Sequence, residues 1–418
     1  MHMRIIHRRI ELSRLEGEGW KMLYGRRKTG KTFLVRNFLD YDEFFFVERE
    51  GMVRDLNEGS TMTYGEFMRL FPRLLKGGKV VVDEFHRLPD RFLDLLHAYS
   101  GTGELILITS TRWLAKRKLL GTGSPLLGIV QPIRIDPIDE REILAEMSRE
   151  VRGKELIEAS TYLREPILVP LYRSPLREFL AGYLSSSGLL IGELVGEAFT
   201  EEERELTEVY RAIMKGIADG KETSTELSSF LYSLSLISKD NTGVLQRYLG
   251  VLTDMGILRR TQVTGKRRKK FVYRHASPLF DLHFYLEAKY AYTELETPVE
   301  FIRKAIDRKL PRHVEAFVEG LLAKSLGLRP VRIEMPDLEL DIALQGFKKL
   351  EVVGEVKWKE RVKREEVRRI EEKLNRFDCR RILVVPDENV LERKPEGVEV
   401  LTPEDLVEIA KEGMERSI

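Results

Sequence analysis

Residues 20–109 alternate short apolar runs with stretches whose apolar positions follow helical spacing. The runs predict buried strands at residues 20–24, 44–47, 79–83 and 105–109. Helical spacing predicts helices at residues 32–39, 64–75 and 91–99. Strands that alternate with helices in this way indicate a doubly wound α/β domain with a parallel sheet, whose ligand binds at the carboxyl ends of the strands.

The pattern is predominantly helical from residue 136 to residue 198, with breaks near Pro166 and Pro170. We expect the α/β core to cover residues 1–136 and a helical lid subdomain to cover residues 137–199. Residues 200–285 then predict three helices followed by a β-hairpin. This order is typical of a winged helix.

The rest of the chain predicts a charged helical connector at residues 286–310 and a last α/β domain at residues 311–418. Strands of the last domain are predicted at residues 337–344, 352–358 and 382–385. Helices are predicted before, between and after them, at residues 314–326, 361–377 and 403–409. The whole chain is therefore predicted to be α/β.

Composition narrows the class of protein. The 418 residues are 42% hydrophobic and 33% charged, which is typical of soluble globular proteins. One cysteine, Cys379, excludes an intramolecular disulfide and a cysteine-cluster zinc site. No continuous apolar run reaches the roughly 18 residues of a membrane span, and the N-terminus lacks an apolar signal core. We expect a cytoplasmic protein with no membrane partner.

Residues 25–32 carry the first candidate chemistry. They match the pattern G-x-x-x-x-G-K-[ST] between a predicted strand and a predicted helix, the setting of a phosphate-binding P-loop. Lys31 is expected to reach the β- and γ-phosphates of a nucleotide, and Thr32 to ligate Mg²⁺. The candidate nucleotide-binding residues are Gly25, Arg26, Arg27, Lys28, Thr29, Gly30, Lys31 and Thr32. A basic surface turn is the alternative interpretation.

The strand at residues 79–83 ends in two acids. Opposite a P-loop, Asp83 is expected to hold Mg²⁺, and Glu84 to act as the base on the attacking water. A further strand is expected between the P-loop strand and this acidic strand, as in additional-strand ATPases with a catalytic glutamate. Ser110 either senses the γ-phosphate or caps the next helix. No Asn-Lys-x-Asp pattern for guanine is present, so we expect ATP with Mg²⁺.

A run of cations lies at the predicted hairpin tip. It consists of Lys266, Arg267, Arg268, Lys269 and Lys270. Because these charges repel one another and the net charge of the chain is only +2, the run favours a local interaction with an anion. DNA phosphate is the partner that we expect. A solvated wing in a protein–protein module is the alternative.

The last domain carries carboxylates beside a lysine. Asp341 lies on one predicted strand, and Glu355 and Lys357 lie two residues apart on the next. Two acids on adjacent strands can hold a divalent cation, and a lysine beside them can orient water for phosphodiester attack. Glu315, on the preceding helix, adds another carboxylate. Ordinary charged positions on a half-exposed sheet are the alternative.

These motifs together resemble archaeal P-loop ATPases, related to AAA+ and signalling ATPases, with a restriction-endonuclease-like C-terminal domain. The resemblance rests on the predicted winged helix and on residues 25–32, 80–85, 124–128, 339–342 and 354–358. It implies a P-loop NTPase core, helical lid, winged helix and C-terminal endonuclease-like domain. The catalytic residues that it implies are Lys31, Glu84, Asp341, Glu355 and Lys357. The metal ligands are Thr32, Asp83, Glu315, Asp341 and Glu355.

One position departs from the resemblance. Relatives often carry arginine directly after the Ser-Pro-Leu-x-Gly segment, where this chain has Ile129. Arg134 or a second chain would then have to contact the γ-phosphate, so a homo-oligomer is compatible with the sequence. We predict a Mg-ATP-hydrolysing switch that acts on DNA. The alternatives are an ATP-gated, metal-dependent DNA nuclease and a signalling-type regulatory ATPase with an inert C-terminal scaffold.

Overall fold

A computed structural model describes residues 4–111, 124–201, 204–238, 241–264, 270–333 and 338–417. The described chain is α/β and contains two seven-stranded sheets. The first sheet consists of β1 (Trp20–Tyr24), β2 (Glu43–Val47), β3 (Met52–Asp55), β4 (Thr61–Thr63), β5 (Lys79–Asp83), β6 (Glu104–Thr109) and β7 (Val130–Arg134). The helices in this part are α1 (Arg9–Leu15), α2 (Lys31–Phe38), α3 (Tyr64–Gly77) and α4 (Arg91–Ala98).

The first sheet has the order β4-β3-β2-β5-β6-β1-β7. Strands β2, β5, β6, β1 and β7 run parallel, and β6 lies between the P-loop strand β1 and the acidic strand β5. The prediction of an intervening strand is therefore confirmed. Strands β3 and β4 add an antiparallel edge that the sequence analysis did not predict, because these strands are short and partly polar.

Both faces of this sheet are covered. On one face, Phe67 and Phe71 of α3 pack with Phe92 of α4 in a cluster of buried side chains. On the other face, Leu34 and Val35 of α2 pack in a second cluster with side chains of α1 and the strands. A parallel sheet buried on both faces explains why its strands appear as continuous apolar runs.

The second half is built from ten further helices within the described residues. They are α5 (Glu140–Met147), α6 (Gly153–Leu163), α7 (Leu176–Glu201), α8 (Glu208–Ala218), α9 (Ser224–Ser233), α10 (Thr242–Asp254), α11 (Pro278–Tyr290), α12 (Val299–Leu326), α13 (Arg364–Leu374) and α14 (Pro403–Glu415). The second sheet contains β8 (Leu258–Thr264), β9 (Lys270–His275), β10 (Arg329–Ile333), β11 (Ile342–Gln345), β12 (Leu350–Val356), β13 (Arg380–Val384) and β14 (Glu399–Leu401).

The hairpin β8–β9 belongs to the same sheet as the last domain. The sheet has the order β14-β13-β12-β11-β10-β8-β9, and β8 pairs in parallel with β10, with Gln262 opposite Val331. The three helices α8, α9 and α10 and the hairpin lie where the sequence predicts them. The hairpin is nevertheless not an isolated wing, because one of its strands is paired on both sides.

Helix α12 runs through the boundary that we placed between residues 310 and 311. The predicted connector and the first helix of the last domain form one helix of 28 residues, with Pro311 inside it. Buried residues on both sides of this proline, Ile306, Leu310 and Val314, continue one apolar stripe along the helix. This stripe and residues of the other helices from α5 to α14 except α13 contribute to one hydrophobic core, whereas α13 packs in a separate cluster with β12 and β13.

Within the described residues, one helical segment, Leu176–Thr200, has the length and hydropathy of a membrane span. In its most apolar window, 33% of the residues are buried inside the molecule. Length and composition do not separate a membrane span from a core helix of a soluble protein.

Candidate functional site

Residues 25–32 form the loop after β1 and the first turn of α2, and the geometry requires both Gly25 and Gly30. A Cβ atom at Gly25 would lie 2.0 Å from the carbonyl oxygen of Ile135, at the end of β7. Gly30 has a φ of +88° immediately before α2, a conformation that glycine adopts without strain. The backbone therefore turns tightly at the N-terminus of a helix, where anions bind.

The predicted phosphate and metal ligands lie together at this turn. The Nζ of Lys31 donates to the carbonyl oxygens of Gly25 and Arg26, each at 3.0 Å. The hydroxyl of Thr32 donates to Asp83 Oδ2 at 2.7 Å. Burial, and then the charge of Glu84, raises the pKa of the Asp83 carboxyl to about 6. A hydroxyl beside a buried carboxylate fits Mg²⁺, whose positive charge would favour the ionised carboxylate.

Glu84 is held in an unusual backbone conformation next to this pair. Its φ of 55° and ψ of 35° are left-handed, which for a residue with a side chain costs on the order of 1–3 kcal/mol. The hydroxyl of Ser110, at the end of β6, donates to Glu84 Oε2 at 2.9 Å. Nδ1 of His86 lies 3.4 Å from the same oxygen. Ser110 therefore contacts the predicted base directly.

Two arginines of the P-loop contact residues of the helical segments in the second half of the chain. Nη2 of Arg26 donates to both carboxylate oxygens of Glu165, just after α6, at 2.8 Å each. The guanidinium of Arg26 also lies 4.5 Å from the ring centre of Phe280 in α11. Arg27 forms an ion pair of 3.0 Å with Glu197 of α7. The loop is thus tied to three helical segments of the second half.

An apolar cavity of about 260 Å³ lies beside the P-loop. Its lining includes Ile6, Phe33, Phe38, Ile138, Pro166 and Ile167. These side chains can hold a flat apolar ring next to the phosphate-binding turn. The sequence analysis missed this cavity; the only available signal was the break near Pro166 and Pro170.

Arg134, the predicted substitute for a γ-phosphate arginine, lies at the level of Tyr24 on the neighbouring strand. Its guanidinium forms an ion pair of 2.7 Å with Asp136, and both side chains are exposed, at 49% and 39%. Ile129 packs partly buried against the core of the first sheet. The guanidinium of Arg134 therefore already has a carboxylate partner.

The C-terminal residues come together around one lysine. Nζ of Lys357 lies 2.7 Å from Glu355 Oε2 and 3.2 Å from Asp341 Oδ2. The backbone N–H of Val356 donates to Asp341 Oδ2 at 2.9 Å, and Lys373 pairs with the other oxygen of Glu355. Burial alone would lower the pKa of the Lys357 ammonium, but the charges of Glu355 and Asp341 raise it above its usual value.

Glu315 of α12 faces the same group. Burial, and then the charge of Asp341, raises the pKa of the Glu315 carboxyl to about 7. Across the described ranges, no group of three or more Asp, Glu, His or Cys side chains is close enough to hold a metal ion. The following Trp358 donates through Nε1 to Glu158 of α6 at 2.9 Å, so it anchors this site to the helical part.

The candidate DNA contacts are only partly described. Lys266, Arg267, Arg268 and Lys269 lie outside the described residues, and Lys270 begins β9.

No protein-family model and no curated protein matches the chain. Among solved structures, it is similar to the Walker-type ATPase PABY2304 of Pyrococcus abyssi, with 19% identity, 66% of this chain and 94% of that chain covered, and a TM-score of 0.44. It is also similar to the Aeropyrum pernix ORC1 protein in complex with DNA, with 16% identity, 70% and 96% covered, and a TM-score of 0.33. The Aeropyrum pernix ORC2 protein in ADPNP–ADP complexes matches with 14% identity, 74% and 92% covered, and a TM-score of 0.34. Because these values are low, the assignments below rest on the geometry of the site.

Proposed function

We propose that the protein binds Mg-ATP at the P-loop and hydrolyses it, with Glu84 as the base. The observation that carries this proposal is the contact of Thr32 with Asp83 beside Glu84, at the carboxyl ends of the parallel strands β1 and β5, which flank β6. A metal-binding hydroxyl and carboxylate thus lie next to a second carboxylate that can accept a proton from water. Ser110 orients that second carboxylate.

The other residues of the loop have defined tasks in this proposal. Thr32 and Asp83 would hold Mg²⁺, which would supply positive charge to neutralise the phosphate oxygens. Lys31 exchanges its two carbonyl partners for phosphate oxygens, which are stronger partners for an ammonium. The nucleotide base enters the apolar cavity that includes Phe33 and Pro166.

The proposed function includes a switch. Glu165, Glu197 and Phe280 hold Arg26 and Arg27, so a nucleotide that moves the loop also moves the elements that carry these residues. Helix α11, which carries Phe280, follows the hairpin β8–β9 directly in the chain. Nucleotide state is therefore coupled to the hairpin, and we propose that the hairpin-tip cations, residues 266–270, bind DNA.

The experiment compares ATP binding and hydrolysis in three variants. Lys31→Ala is expected to lose ATP binding, whereas Glu84→Gln is expected to bind ATP normally and to hydrolyse it about 10²–10⁴ times more slowly. Arg36→Ala, an exposed cation on the same helix α2, is the matched control and leaves both unchanged. Normal ATP affinity in Lys31→Ala would overturn the binding site, and an unchanged rate in Glu84→Gln would remove Glu84 as the base.

A second candidate function is supported by the contact of Lys357 with both Asp341 and Glu355. We propose a metal-dependent nuclease that ATP controls, in which the pair Asp341 and Glu355 would hold the cation, because no group of three such side chains lies close enough within the described residues. DNA cleavage in Mg²⁺ or Mn²⁺ is expected to disappear in Asp341→Ala and to persist in Glu339→Ala, an exposed residue of the same segment. If the parent protein cuts no DNA, the C-terminal domain is better explained as a scaffold of a regulatory ATPase.

A further inference from the structure

A polar cavity, distinct from the apolar cavity beside the P-loop, lies where α6, the hairpin, α11 and α12 meet. It has a volume of about 40 Å³, enough for about three water molecules. Its lining contains four arginines, Arg164, Arg259, Arg274 and Arg312, and the ring of His275. We refer to these five residues as the arginine pocket.

The arginines of the pocket share the carboxylates around it, which include Glu222, Glu315 and Glu319. Glu222 accepts from Arg274 at 2.6 Å and also pairs with Arg312, so one carboxylate serves two guanidinium groups. Arg164 pairs with Glu140 at 2.7 Å. Within the described part of the chain, the guanidinium of Arg259 has neither a hydrogen bond nor an ion pair.

The pKa of Arg259 reflects this environment. Burial lowers the pKa of the Arg259 guanidinium to about 10; the charge of Glu319 opposes this shift, and the charges of Arg274 and Arg164 add to it. Its preference for losing a proton is therefore stronger than that of a paired arginine. A bound anion would reverse this effect, because an opposite charge favours the ionised form.

Two buried nitrogen atoms of the arginine pocket also have no partner in the described residues. They are Nη1 of Arg274 and Nε2 of His275. The His275 side chain is 1% exposed, and its Nδ1 lies 2.9 Å from Asp281 Oδ1, so its orientation is fixed. Buried polar atoms in native proteins nearly always have a hydrogen-bond partner. These two atoms therefore indicate a missing ligand with oxygen atoms.

We propose that the arginine pocket binds a small phosphoryl anion, either inorganic phosphate or a terminal phosphate monoester. Guanidinium groups match phosphate oxygens with paired N–H donors, and several can share one tetrahedral ion. Monohydrogen phosphate also carries an O–H group, so it can satisfy Nε2 of His275 whether that nitrogen donates or accepts. The cavity lies between four structural elements, which favours a small ion over the backbone of a nucleic acid.

The position of the arginine pocket connects it to the P-loop. Arg164 directly precedes Glu165, and Asp281, which orients His275, directly follows Phe280. Glu165 and Phe280 are the two residues that hold Arg26. An anion in the pocket would therefore contact Arg164, which adjoins Glu165, and would reach Phe280 only through His275 and Asp281. Binding itself requires no ATP hydrolysis.

The test titrates the full chain with inorganic phosphate, by calorimetry and by the shift of its melting temperature. Phosphate is expected to bind the parent protein and Lys31→Ala alike, because the arginine pocket is separate from the P-loop. Arg259→Gln is expected to weaken binding by about 10-fold or more. Arg260→Gln, the exposed neighbour on β8, is the matched control and leaves the affinity unchanged.

A second measurement, the melting temperature without phosphate, tests whether Arg259→Gln disturbs the folded protein. Without phosphate, Arg259→Gln is expected to raise the melting temperature, because it removes a charge that burial and the neighbouring Arg274 and Arg164 disfavour. Arg259→Lys keeps the charge but loses the paired donors, so it should bind phosphate with intermediate affinity. A merely structural arginine would show the opposite sign of the temperature shift.

Three results would overturn the proposal. The first is the absence of phosphate binding at concentrations up to about 10 mM, weaker than any affinity of functional interest here. The second is binding that Lys31→Ala abolishes and Arg259→Gln retains, which would place the ion at the P-loop. The third is loss of duplex DNA binding in Arg259→Gln while phosphate affinity is unchanged, which would make the pocket a contact for a DNA backbone.

Discussion

The ion pair between Arg26 and Glu165 leads to the most quantitative prediction. Both oxygens of Glu165 lie 2.8 Å from Nη2 of Arg26, and the two side chains are only 6% and 3% exposed. Glu165→Ala removes the carboxylate and leaves the guanidinium buried inside the P-loop. Its remaining neighbour is the ring of Phe280, which attracts a cation far more weakly than a carboxylate does.

Removing one partner of a buried pair costs about 3–5 kcal/mol, since the other charge stays out of water without compensation. Phe280 stays in place and the loop can relax toward solvent, so we expect the lower end, about 3 kcal/mol. This corresponds to a change of about 150-fold in the folding equilibrium of the unit that contains the loop. Arg26→Met should cost a similar amount, because it leaves the Glu165 carboxylate unpaired.

The assay is urea unfolding of the nucleotide-free protein, with the midpoint and slope compared among variants. The double variant Arg26→Met with Glu165→Met is expected to recover most of the lost stability, because apolar side chains of similar volume often replace a buried pair without cost. Glu150→Ala is the control: it breaks the more exposed pair with Arg4, whose partners are 55% and 23% exposed. Its effect should stay below about 1 kcal/mol.

Two outcomes would refute the reasoning. If Glu165→Ala is no more destabilising than Glu150→Ala, the buried pair does not hold the loop. If the double variant is as unstable as the two single losses added together, packing accounts for the loss and the unpaired charge does not.

Three further predictions concern the first sheet and the hairpin. In the folded protein, the pKa of Asp83 is raised to about 6, so the folded state binds this proton more tightly than the unfolded state does. The nucleotide-free protein should therefore lose stability as pH rises from about 4 to 6. The Asp83→Asn variant should not show this loss, and its free energy of unfolding at pH 7 should exceed that of the parent protein by about 2–3 kcal/mol. If thermal unfolding shows a stability difference between the two proteins that does not change with pH, the raised pKa of Asp83 is contradicted. Replacing residues 266–270 by alanine should reduce the slope of log affinity for duplex DNA against log salt by about 4, whereas an unchanged slope would place DNA elsewhere. Gly25→Ala should abolish ATP binding because its Cβ meets the Ile135 carbonyl oxygen at 2.0 Å, while Gly182→Ala, in open space within α7, should bind ATP normally and gain about 0.5–1 kcal/mol in stability.

The local parts of the nucleotide site were predictable from the sequence. The P-loop requires fixed spacing within eight residues, and Asp83 and Glu84 follow an apolar strand directly, so both patterns can be recognised without knowledge of the fold. The strands β1, β2, β5 and β6 followed from the alternation of apolar runs with helical spacing. These features depend on residues close together in the chain.

Long-range contacts could not be predicted in the same way. Phe280 lies over Arg26, and β8 pairs with β10, yet neither contact has a spacing or composition signal. The arginine pocket could not be predicted for the same reason. Arg164 and Arg259 come from separate elements, and no local pattern distinguishes either of them from other arginines in the chain. Folding brings such residues together through the shared core of the second half, which local patterns do not encode.

The pairing of β8 with β10 has a consequence for shortened versions of this protein. A chain that ended after α12 would leave the backbone N–H and C=O groups on that side of β8 without their native partners. An unpaired strand edge is a template for pairing with other chains, so such a fragment should aggregate through β-addition. The C-terminal domain therefore also acts as a cover for an edge that the hairpin cannot protect by itself.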